Sequence, residues 1–527
     1  NATAASPWPR SQDPEDEPAP MPEHFRPRPR HAALTLLALV LGSWTCSNAS
    51  GPNGGGGGGG IDTLPPPAPS ESLIVAFSTY LGGTQTDMVR DVAVTPQGNL
   101  VVVGSTQSTG FPTPGTGFDH SFATGSAYLS DAFILALTPQ GTPIWSNLIG
   151  GVNFERFYAV EVSPGGSIFT SGRAGASFPV TPGTFQAAFA GGGGGLPYGA
   201  QDGLACRFAG DGSAMTWCSY FGDSDDTPAR DVAIDAGENL YIVTSDSMDT
   251  YPSAWFAGSY QPIRSGKSDA VVARLSSDGT QVLWATYLGG SENENHANSV
   301  RVDATGVYVL TFTHSADTPT TAGAASRTLR GTTDLYVAKL SLDGKTLLYG
   351  TYLGGSAGES AETHQLAIDA QGNAYVTGMT SSSDFPTTVG AAQPGYGGAP
   401  RDGFVAKLSP TGGLLAATYI GGNNEDFGEG IGIDAAGNVV LSGATSSPNF
   451  VTNQSSGTPG GGQDAFLVRL TPTLGRVINS LRFGGSGNDI GRGLATARPP
   501  VGHFQLGRAG STRRDQGRRE SAPDRAR

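Results

Sequence analysis

The sequence has little charge, few cysteines and few histidines. Of its 527 residues, 14% are charged, three are cysteines and seven are histidines. The 45 acidic residues outnumber the 31 basic ones and give a net charge of -14, which argues against nucleic acid as a partner. The apolar stretch at residues 32–42 is eleven residues long, too short to cross a bilayer as a helix.

Glycine and proline are abundant instead. The 79 glycines and 36 prolines make up about a fifth of the chain, whereas hydrophobic residues account for 37%. Glycine weakens the interiors of helices and strands but is favoured in tight turns. This composition argues against helical bundles, coiled coils and doubly wound α/β folds, and it favours many short strands joined by turns.

The N-terminal region is typical of processing and tethering segments. Residues 1–20 are acidic and rich in proline, and we interpret them as an over-extended reading frame that precedes Met21. Residues 21–46 have the order of a secretory signal peptide, in which basic residues precede an apolar run. Residues 47–72 form a Gly/Pro-rich linker that contains seven consecutive glycines. We therefore expect export.

Cys46 ends this signal-like segment and directly precedes the linker. An apolar run that ends in one cysteine resembles a bacterial lipoprotein signal, in which that cysteine is lipidated. The usual motif has small residues before the cysteine, whereas Trp44 is bulky. Two locations stay open: an outer-membrane or surface lipoprotein, held to the membrane only by its lipid, or a secreted protein.

Residues 73–496 contain a long internal repeat. The phrase Tyr-Leu-Gly-Gly or a variant of it recurs at intervals of 63 to 72 residues. Such a period is longer than an ordinary helical repeat and must hold a whole supersecondary unit. The seven copies begin at Tyr80, Leu148, Tyr220, Tyr287, Tyr352, Tyr419 and Arg482.

Each period contains the pattern of four strands. Residues 366–378 alternate around a Gly-Asn turn, which predicts one hairpin, and residues 334–353 predict a second hairpin around an Asp-Gly turn. A loop of roughly 20 to 30 residues, often with Phe-Pro, joins the two hairpins. Four antiparallel strands per unit predict an all-β fold, a β-propeller with one blade per unit.

The ends of the repeat predict an incomplete ring. Residues 73–81 match a fourth strand without the three strands that should precede it, and the seventh unit follows the pattern only to Thr496. We expect six complete blades plus remnants of a seventh. Residues 497–527 are rich in arginine, and we interpret them as a disordered or out-of-frame tail.

The repeated phrase resembles a known family. Residues 351–355, 367–378, 384–388 and 402–408 together are similar to the repeat of bacterial seven-bladed β-propellers, the SBBP repeat family. The resemblance implies an exported or surface-attached propeller. It implies no common biochemical activity, so it supports the fold and the location more than the function.

Two sets of polar residues recur in register with the repeat. An acid follows the Gly-Gly phrase, where it fits either a ring that binds Ca²⁺ or, as we favour, an acceptor for backbone N–H groups in the turn. An Asp begins the third strand, and a basic residue usually stands five positions later, from which we expect bridges between neighbouring blades. The acids after Gly-Gly are Asp87, Glu155, Asp226, Glu294, Glu359, Asp426 and Asp489.

Catalytic and metal motifs are weak. The histidines share no repeat position, and no zinc motif is present. Asp223, Asp225 and Asp226 are the densest acidic cluster and are a candidate Ca²⁺ site. Small residues separate the apolar positions of the innermost strands, except for Glu161 and Arg301, which break the repeat. We assign no catalytic or cofactor-binding residue.

Cys206 and Cys218 are nearly equidistant from the Asp-Gly turn at 211–212. They therefore face each other if the hairpin is in register, and a cross-strand disulfide is plausible in an oxidising compartment. A shift of one residue would separate the two thiols.

Two functions remain open. The first is a noncatalytic binding or scaffolding module at the cell surface, most simply a monomer, which recognises a protein or glycan through the long loops between hairpins. The second is a propeller enzyme, a polysaccharide lyase or hydrolase, with its site at the channel mouth. We favour the first because only two residues break the innermost-strand pattern.

Overall fold

The computed structural model describes residues 73–496 and four short strand segments outside or within the gaps of that range. The gaps are residues 120, 123–129, 152, 193–197, 295–296, 399, 451–453 and 456–459, and the additional strands are Ala32–Leu41, Gln454–Ser455, His503–Ala509 and Ser511–Thr512. Cys46, the expected lipidation site, lies outside the described residues.

Six four-stranded antiparallel sheets follow one another along the chain, as predicted. Each contains two hairpins, and each inner strand pairs with the next strand in sequence. In order, the strands of the first three blades are Asp87–Val94, Leu100–Thr106, Asp131–Leu137 and Pro143–Ile149; Arg156–Val162, Ile168–Ala174, Asp202–Phe208 and Met215–Phe221; and Asp231–Ile234, Leu240–Asp246, Asp269–Leu275 and Val282–Leu288.

The other three blades have the same order, with one irregularity. The inner strand of the fifth blade is broken into two short pieces, which both pair with the second strand. The strands are Ala297–Asp303, Gly306–Thr313, Asp334–Leu340 and Leu347–Leu353; Glu359–Ser360 with Leu366–Ile368, Ala374–Thr380, Asp402–Leu408 and Leu414–Ile420; and Asp426–Ile433, Val439–Thr445, Asp464–Leu470 and Val477–Phe483.

Further strands accompany the six complete sheets. Ile490–Thr496 pairs with His503–Ala509, which pairs with Ala32–Leu41, which in turn pairs with Leu73–Leu81. The segments 32–41 and 503–509 are those interpreted above as signal peptide and tail, and both interpretations stay predictions.

The hydrophobic core lies between the blades. Val101 and Ile134 of the first blade belong to one buried cluster with Phe157 and Leu204 of the second, and similar clusters join later neighbours. A blade that lies between two others is therefore covered on both faces, which explains why its strands are apolar at successive positions.

The residues of the repeated phrases fix the loops. The Tyr352 hydroxyl donates a hydrogen bond to the carbonyl oxygen of Ser315 at 2.7 Å, and Tyr419 does the same to Ser382 at 2.8 Å. Phe385 of the Phe-Pro phrase is buried. The long loops of the fourth and fifth blades are thus anchored at their starts.

Candidate functional site

Six of the seven acids after the Gly-Gly phrase are buried at the turn into the inner strand, and Asp226 is partly exposed. In six of the seven units the carboxylate accepts a hydrogen bond from the backbone N–H four residues earlier, at 2.5 to 3.2 Å. A hydroxyl of the second strand or the residues just after it, such as that of Thr380 or Ser447, donates a further bond. This arrangement is the structural use of the acids, in which each holds its own turn closed. The pairs are Asp87 with Gly83, Glu155 with Gly151, Glu294 with Gly290, Glu359 with Gly355, Asp426 with Gly422 and Asp489 with Gly485.

The predicted bridges between blades are wrong for most of the basic residues on the third strands. Arg274 forms an ion pair of 2.6 Å with Asp235 of its own blade, and Arg469 pairs in the same way with Asp434. The reason is the register, which places Arg274 opposite Tyr241. The guanidinium lies over the Tyr241 ring and so reaches Asp235, just after the inner strand of the same blade. Arg207 is the exception, since it bonds Ser277 of the third blade at 3.1 Å.

Cys206 and Cys218 face each other across the outer hairpin of the second blade. They are register partners with Cα atoms 4.0 Å apart, and the structure joins them in a disulfide. Both side chains are fully buried.

The Asp223–Asp226 segment is held by internal hydrogen bonds. Asp223 stands where most units have the second glycine, and it accepts bonds from the Thr250 hydroxyl at 2.9 Å and from the Asp225 N–H at 3.0 Å. In the fifth blade the acid comes from the other partner of this contact. There Asp384, in the loop after the second strand, accepts a hydrogen bond from the Ser356 N–H. Across the described part of the chain, no group of three His, Cys, Asp or Glu side chains is placed to hold a metal ion. The Ca²⁺ assignment to Asp223, Asp225 and Asp226 stays a prediction.

A cleft of about 350 Å³ opens beside Asp223. Its walls come from the long loop of the second blade, from the turn at 222–224 and from the corresponding loop of the third blade. Three partly exposed aromatic rings line it together with hydroxyl, amide and carboxylate groups. The lining residues include Phe185, Gln186, Phe189, Asp223, Ser224, Thr250 and Trp255.

Local structure fixes the rings of this cleft. The one-turn helix Ser253–Phe256 presents Trp255, whose ring stacks on Phe221 at 5.4 Å and meets Phe185 edge-on at 6.2 Å. Burial raises the pKa of Asp223 to about 6, and the neighbouring Asp246 adds to the shift. The floor of the cleft is therefore a weakly acidic carboxyl between aromatic walls.

The two residues that break the inner-strand pattern come together near the axis of the propeller. Glu161 of the second blade and Arg301 of the fourth are close enough for their charges to interact, and both are partly exposed. Arg301 also bonds Asp231 of the third blade at 2.7 Å. Asp231 accepts the Val300 N–H at 3.0 Å, so this carboxylate also joins the third blade to the fourth.

His364 reaches across the axis. It belongs to the fifth blade, but its ring nitrogens lie 3.0 Å from the Tyr158 carbonyl oxygen of the second blade and 3.3 Å from Asp231 of the third. Its Nδ1 is also 3.7 Å from Asp91 of the first blade. The ring is buried, and its backbone has a positive φ of 66°, which is uncommon for a residue other than glycine.

The charges around His364 act on one another. Burial opposes the charged form of the imidazole, but the carboxylates of Asp91 and Asp231 outweigh it and raise the pKa of His364 to about 9. Burial raises the pKa of Glu161 to about 7 against the attraction of Arg301. At neutral pH the axis therefore holds a protonated histidine and a carboxyl group that is half titrated.

The repeat contains a signal for this cluster that the sequence analysis missed. Leu366 of the inner strand stands eleven positions after Gly355, whereas the equivalent apolar residue stands nine positions after the second residue of the Gly-Gly phrase in most units. The two extra residues lie where the inner strand is broken, and His364 in this break lies near the axis. Asp91 and Asp231 were missed because they occupy the same repeat position in only two units.

The fold defines the class of the protein as a β-propeller. Residues 348–386 match the family model described as SBBP, beta-propeller repeat. The chain is thus a β-propeller, one segment of which matches the SBBP repeat. A search of curated proteins found no significant match. In the described residues, no helix has the length and apolar character needed to cross a membrane.

Solved structures match the chain at low similarity. A protein of unknown function from Bacteroides caccae is 12% identical, with a TM-score of 0.33, and the match covers 68% of this chain and 92% of that chain. A protein of unknown function from Dyadobacter fermentans is 10% identical, with a TM-score of 0.35 and coverages of 82% and 97%. A puromycin hydrolase is 13% identical, with a TM-score of 0.39 and coverages of 79% and 50%. None of these similarities carries an argument about activity.

Proposed function

We propose that the protein is an exported, noncatalytic binding module that takes a carbohydrate ligand in the cleft between the loops of the second and third blades. The observation that carries this proposal is the lining of the cleft. Aromatic rings that stand beside hydroxyl, amide and carboxylate groups match a sugar, which has apolar C–H faces and polar edges. A protein ligand is the competing occupant.

Trp255 is the residue on which binding depends most. Its ring is partly exposed and is held from behind by Phe221, so it enters the complex already oriented and loses little side-chain entropy. The nearby Ser224 and Thr250 hydroxyls are exposed and lie 2.7 Å from each other, beside the buried Asp223 carboxylate. They supply hydrogen-bonding groups at the rim.

A glycan array followed by calorimetry on the best ligand tests the proposal. We expect the purified full chain to bind a glycan, and Trp255→Ala to weaken that binding at least about tenfold, the scale of a removed aromatic anchor. Phe118→Ala is the matched control, because Phe118 is an exposed aromatic in the corresponding loop of the first blade. Circular dichroism verifies that both variants fold. Failure to bind any glycan, equal binding by Trp255→Ala, or a protein ligand in this cleft would overturn the carbohydrate assignment.

Export is supported by the disulfide and by the signal-like order of residues 21–46. Disulfides form and persist mainly in oxidising compartments. We expect mass spectrometry of the mature protein to find the segment before Cys46 removed, with a lipid on Cys46 if the protein is anchored. A cytoplasmic mature protein that retains residues 32–42 would contradict export.

A second candidate function is a polysaccharide lyase or hydrolase at the axis. It is favoured by one observation, the proximity of Glu161 and Arg301 near His364. A carboxyl group with a pKa near 7 suits general acid–base catalysis at neutral pH. Assays on a polysaccharide panel decide between the two functions: turnover that Glu161→Gln abolishes favours the enzyme, whereas tight binding without turnover favours the binding module.

A further inference from the structure

The cleft between the loops of the second and third blades contains an acid and, among its described lining residues, no base. The acid is Asp223, and no Lys, Arg or His side chain lines the cleft beside it. Asp223 accepts hydrogen bonds from the Thr250 N–H and hydroxyl and from the Asp225 N–H. None of these donors carries a charge, so these contacts leave the negative charge of Asp223 unbalanced.

Two further carboxyl groups lie close to Asp223. The charge of Asp246 acts on Asp223. Asp202 accepts a hydrogen bond at 2.8 Å from the N–H of Ala190, which lines the cleft. Burial and the charge of Asp223 raise the pKa of Asp202 to about 7. Like charges disfavour one another's ionised forms, so a positively charged ligand in the cleft would relieve this repulsion.

Arg264 is a basic side chain that interacts with this group from outside the cleft. Its guanidinium forms an ion pair of 3.2 Å with Asp249, and its charge also acts on Asp246. Arg264 is not one of the residues that line the cleft. The cleft itself is therefore bordered by the acids Asp202 and Asp223.

Aromatic rings in the same cleft favour a cation for a second reason. Trp255, Phe185 and Phe189 line the cleft and are partly exposed. The faces of aromatic rings, above all those of Trp, attract cations, and the attraction is stronger where water is partly excluded. The same rings fit the C–H faces of a sugar. One ligand that is both a sugar and a cation uses the rings and the carboxyl groups together.

We infer that the ligand of the cleft is an amino sugar whose amine is free and carries a positive charge. This inference rests on the proposed carbohydrate function and narrows it to one class of sugar. The sugar ring packs against Trp255, and the ammonium group lies on the Asp223 side of the cleft. An N-acetylated sugar lacks the charge and a uronic acid carries the opposite one, so the cleft selects against both.

Calorimetry with three tetrasaccharides of the same β-1,4 linkage tests the inference. They are the tetramers of glucosamine, of N-acetylglucosamine and of glucose. The full chain is titrated at low ionic strength and about pH 6.5, above the pKa of Asp223, with a chelator present to remove Ca²⁺. We expect the glucosamine tetramer to bind at least about tenfold more tightly than either of the others, the scale of a partly desolvated cation–π contact.

Asp223→Asn should remove most of this preference, because the amide keeps an acceptor for the Thr250 hydroxyl but has no charge. Asp317→Asn is the matched control and should leave the preference unchanged. Asp317 makes a similar contact between turn and loop in the fourth blade, where it accepts hydrogen bonds from the Ser291 N–H at 2.9 Å and hydroxyl at 3.0 Å. If Asp223→Asn fails to fold, added NaCl replaces it: salt should weaken binding of the glucosamine tetramer and leave that of the glucose tetramer unchanged.

Three results would overturn the inference. They are no binding of the glucosamine tetramer, equal or tighter binding of a neutral tetramer, and an undiminished preference in folded Asp223→Asn or in high salt. If a neutral glycan then binds in a way that depends on Trp255, the carbohydrate proposal stands and the amino-sugar assignment alone is wrong. If no glycan binds, both are wrong.

Discussion

Polar residues have different roles at two places in the repeat. One is the turn that begins each inner strand, and the other is the inner hairpin of the second blade. At the turns, the acid of six units accepts a hydrogen bond from the backbone N–H four residues earlier. In the second blade, Phe154, Arg156, Glu161 and Arg173 depart from the repeat. Both guanidinium groups lie over the Phe154 ring, and Glu161 interacts with Arg301 of the fourth blade. The comparison teaches that recurring polar residues hold the turns within each blade, whereas polar residues confined to one unit mark candidate sites.

The largest effect is expected where the turn leaves no room for a side chain. A Cβ at Gly354 would lie 2.4 Å from the Glu359 carboxylate and 2.5 Å from that of Asp334. We expect Gly354→Ala to lower the free energy of unfolding by about 4 kcal/mol, since two buried hydrogen-bonded acids must move. Gly165→Ala is the control, because its Cβ would meet no atom nearer than 3.5 Å. Urea denaturation measures both, and equal stability of the two variants would contradict the account of the turn.

A smaller effect is expected when an acid of the turn is removed. Asp426 accepts hydrogen bonds from the Gly422 N–H and the Ser447 hydroxyl, both at 2.6 Å. Asp426→Ala should cost about 3 kcal/mol, because both buried donors lose their acceptor. Asp343→Ala, at an exposed turn of the fourth blade, should change stability far less. The urea midpoints of the two variants provide the comparison. If Asp426→Ala loses no more stability than Asp343→Ala, the repeated acid is dispensable for the fold.

His364 sharpens the comparison through pH. Its pKa is about 9 in the folded protein and 6.5 without its surroundings, so its stabilisation is fully present below pH 6.5 and is lost as the pH rises through 9. We expect His364→Gln to cost about 2 kcal/mol at pH 6 and much less at pH 10. Glu161, with a pKa near 7, changes stability mainly below pH 7, so the window from pH 7 to 9 reports on His364.

Chemical denaturation across that pH range measures the difference between wild type and His364→Gln. The exposed His314, changed to Gln, is the matched control. A difference that does not depend on pH would show that His364 acts only by packing and not by its charge.

Much of the fold was predictable because each blade repeats the same turn and strand patterns. The Gly-Asn turn at 372–373 predicts the pairing of Leu366–Ile368 with Ala374–Thr380, which the structure contains. The register of Cys206 with Cys218 followed from the Asp-Gly turn between them.

The candidate sites were harder to predict because their contacts join distant units. The Tyr158 carbonyl and His364 are 206 residues apart in the chain, and no local pattern relates them. Arg274 was assigned to the wrong partner because the sequence pattern does not show that the Tyr241 ring directs its guanidinium back to its own blade. Trp255 was missed because the loop that carries it varies between units.

Reverting the second blade to the pattern of the first blade tests the central claim most directly. The variant combines Phe154→Thr, Arg156→Met, Glu161→Ala and Arg173→Ser, and the measurement is its thermal midpoint. We predict a midpoint within about 3 °C of wild type. A variant that melts far below wild type would contradict the claim that these departures from the repeat are not needed for the fold.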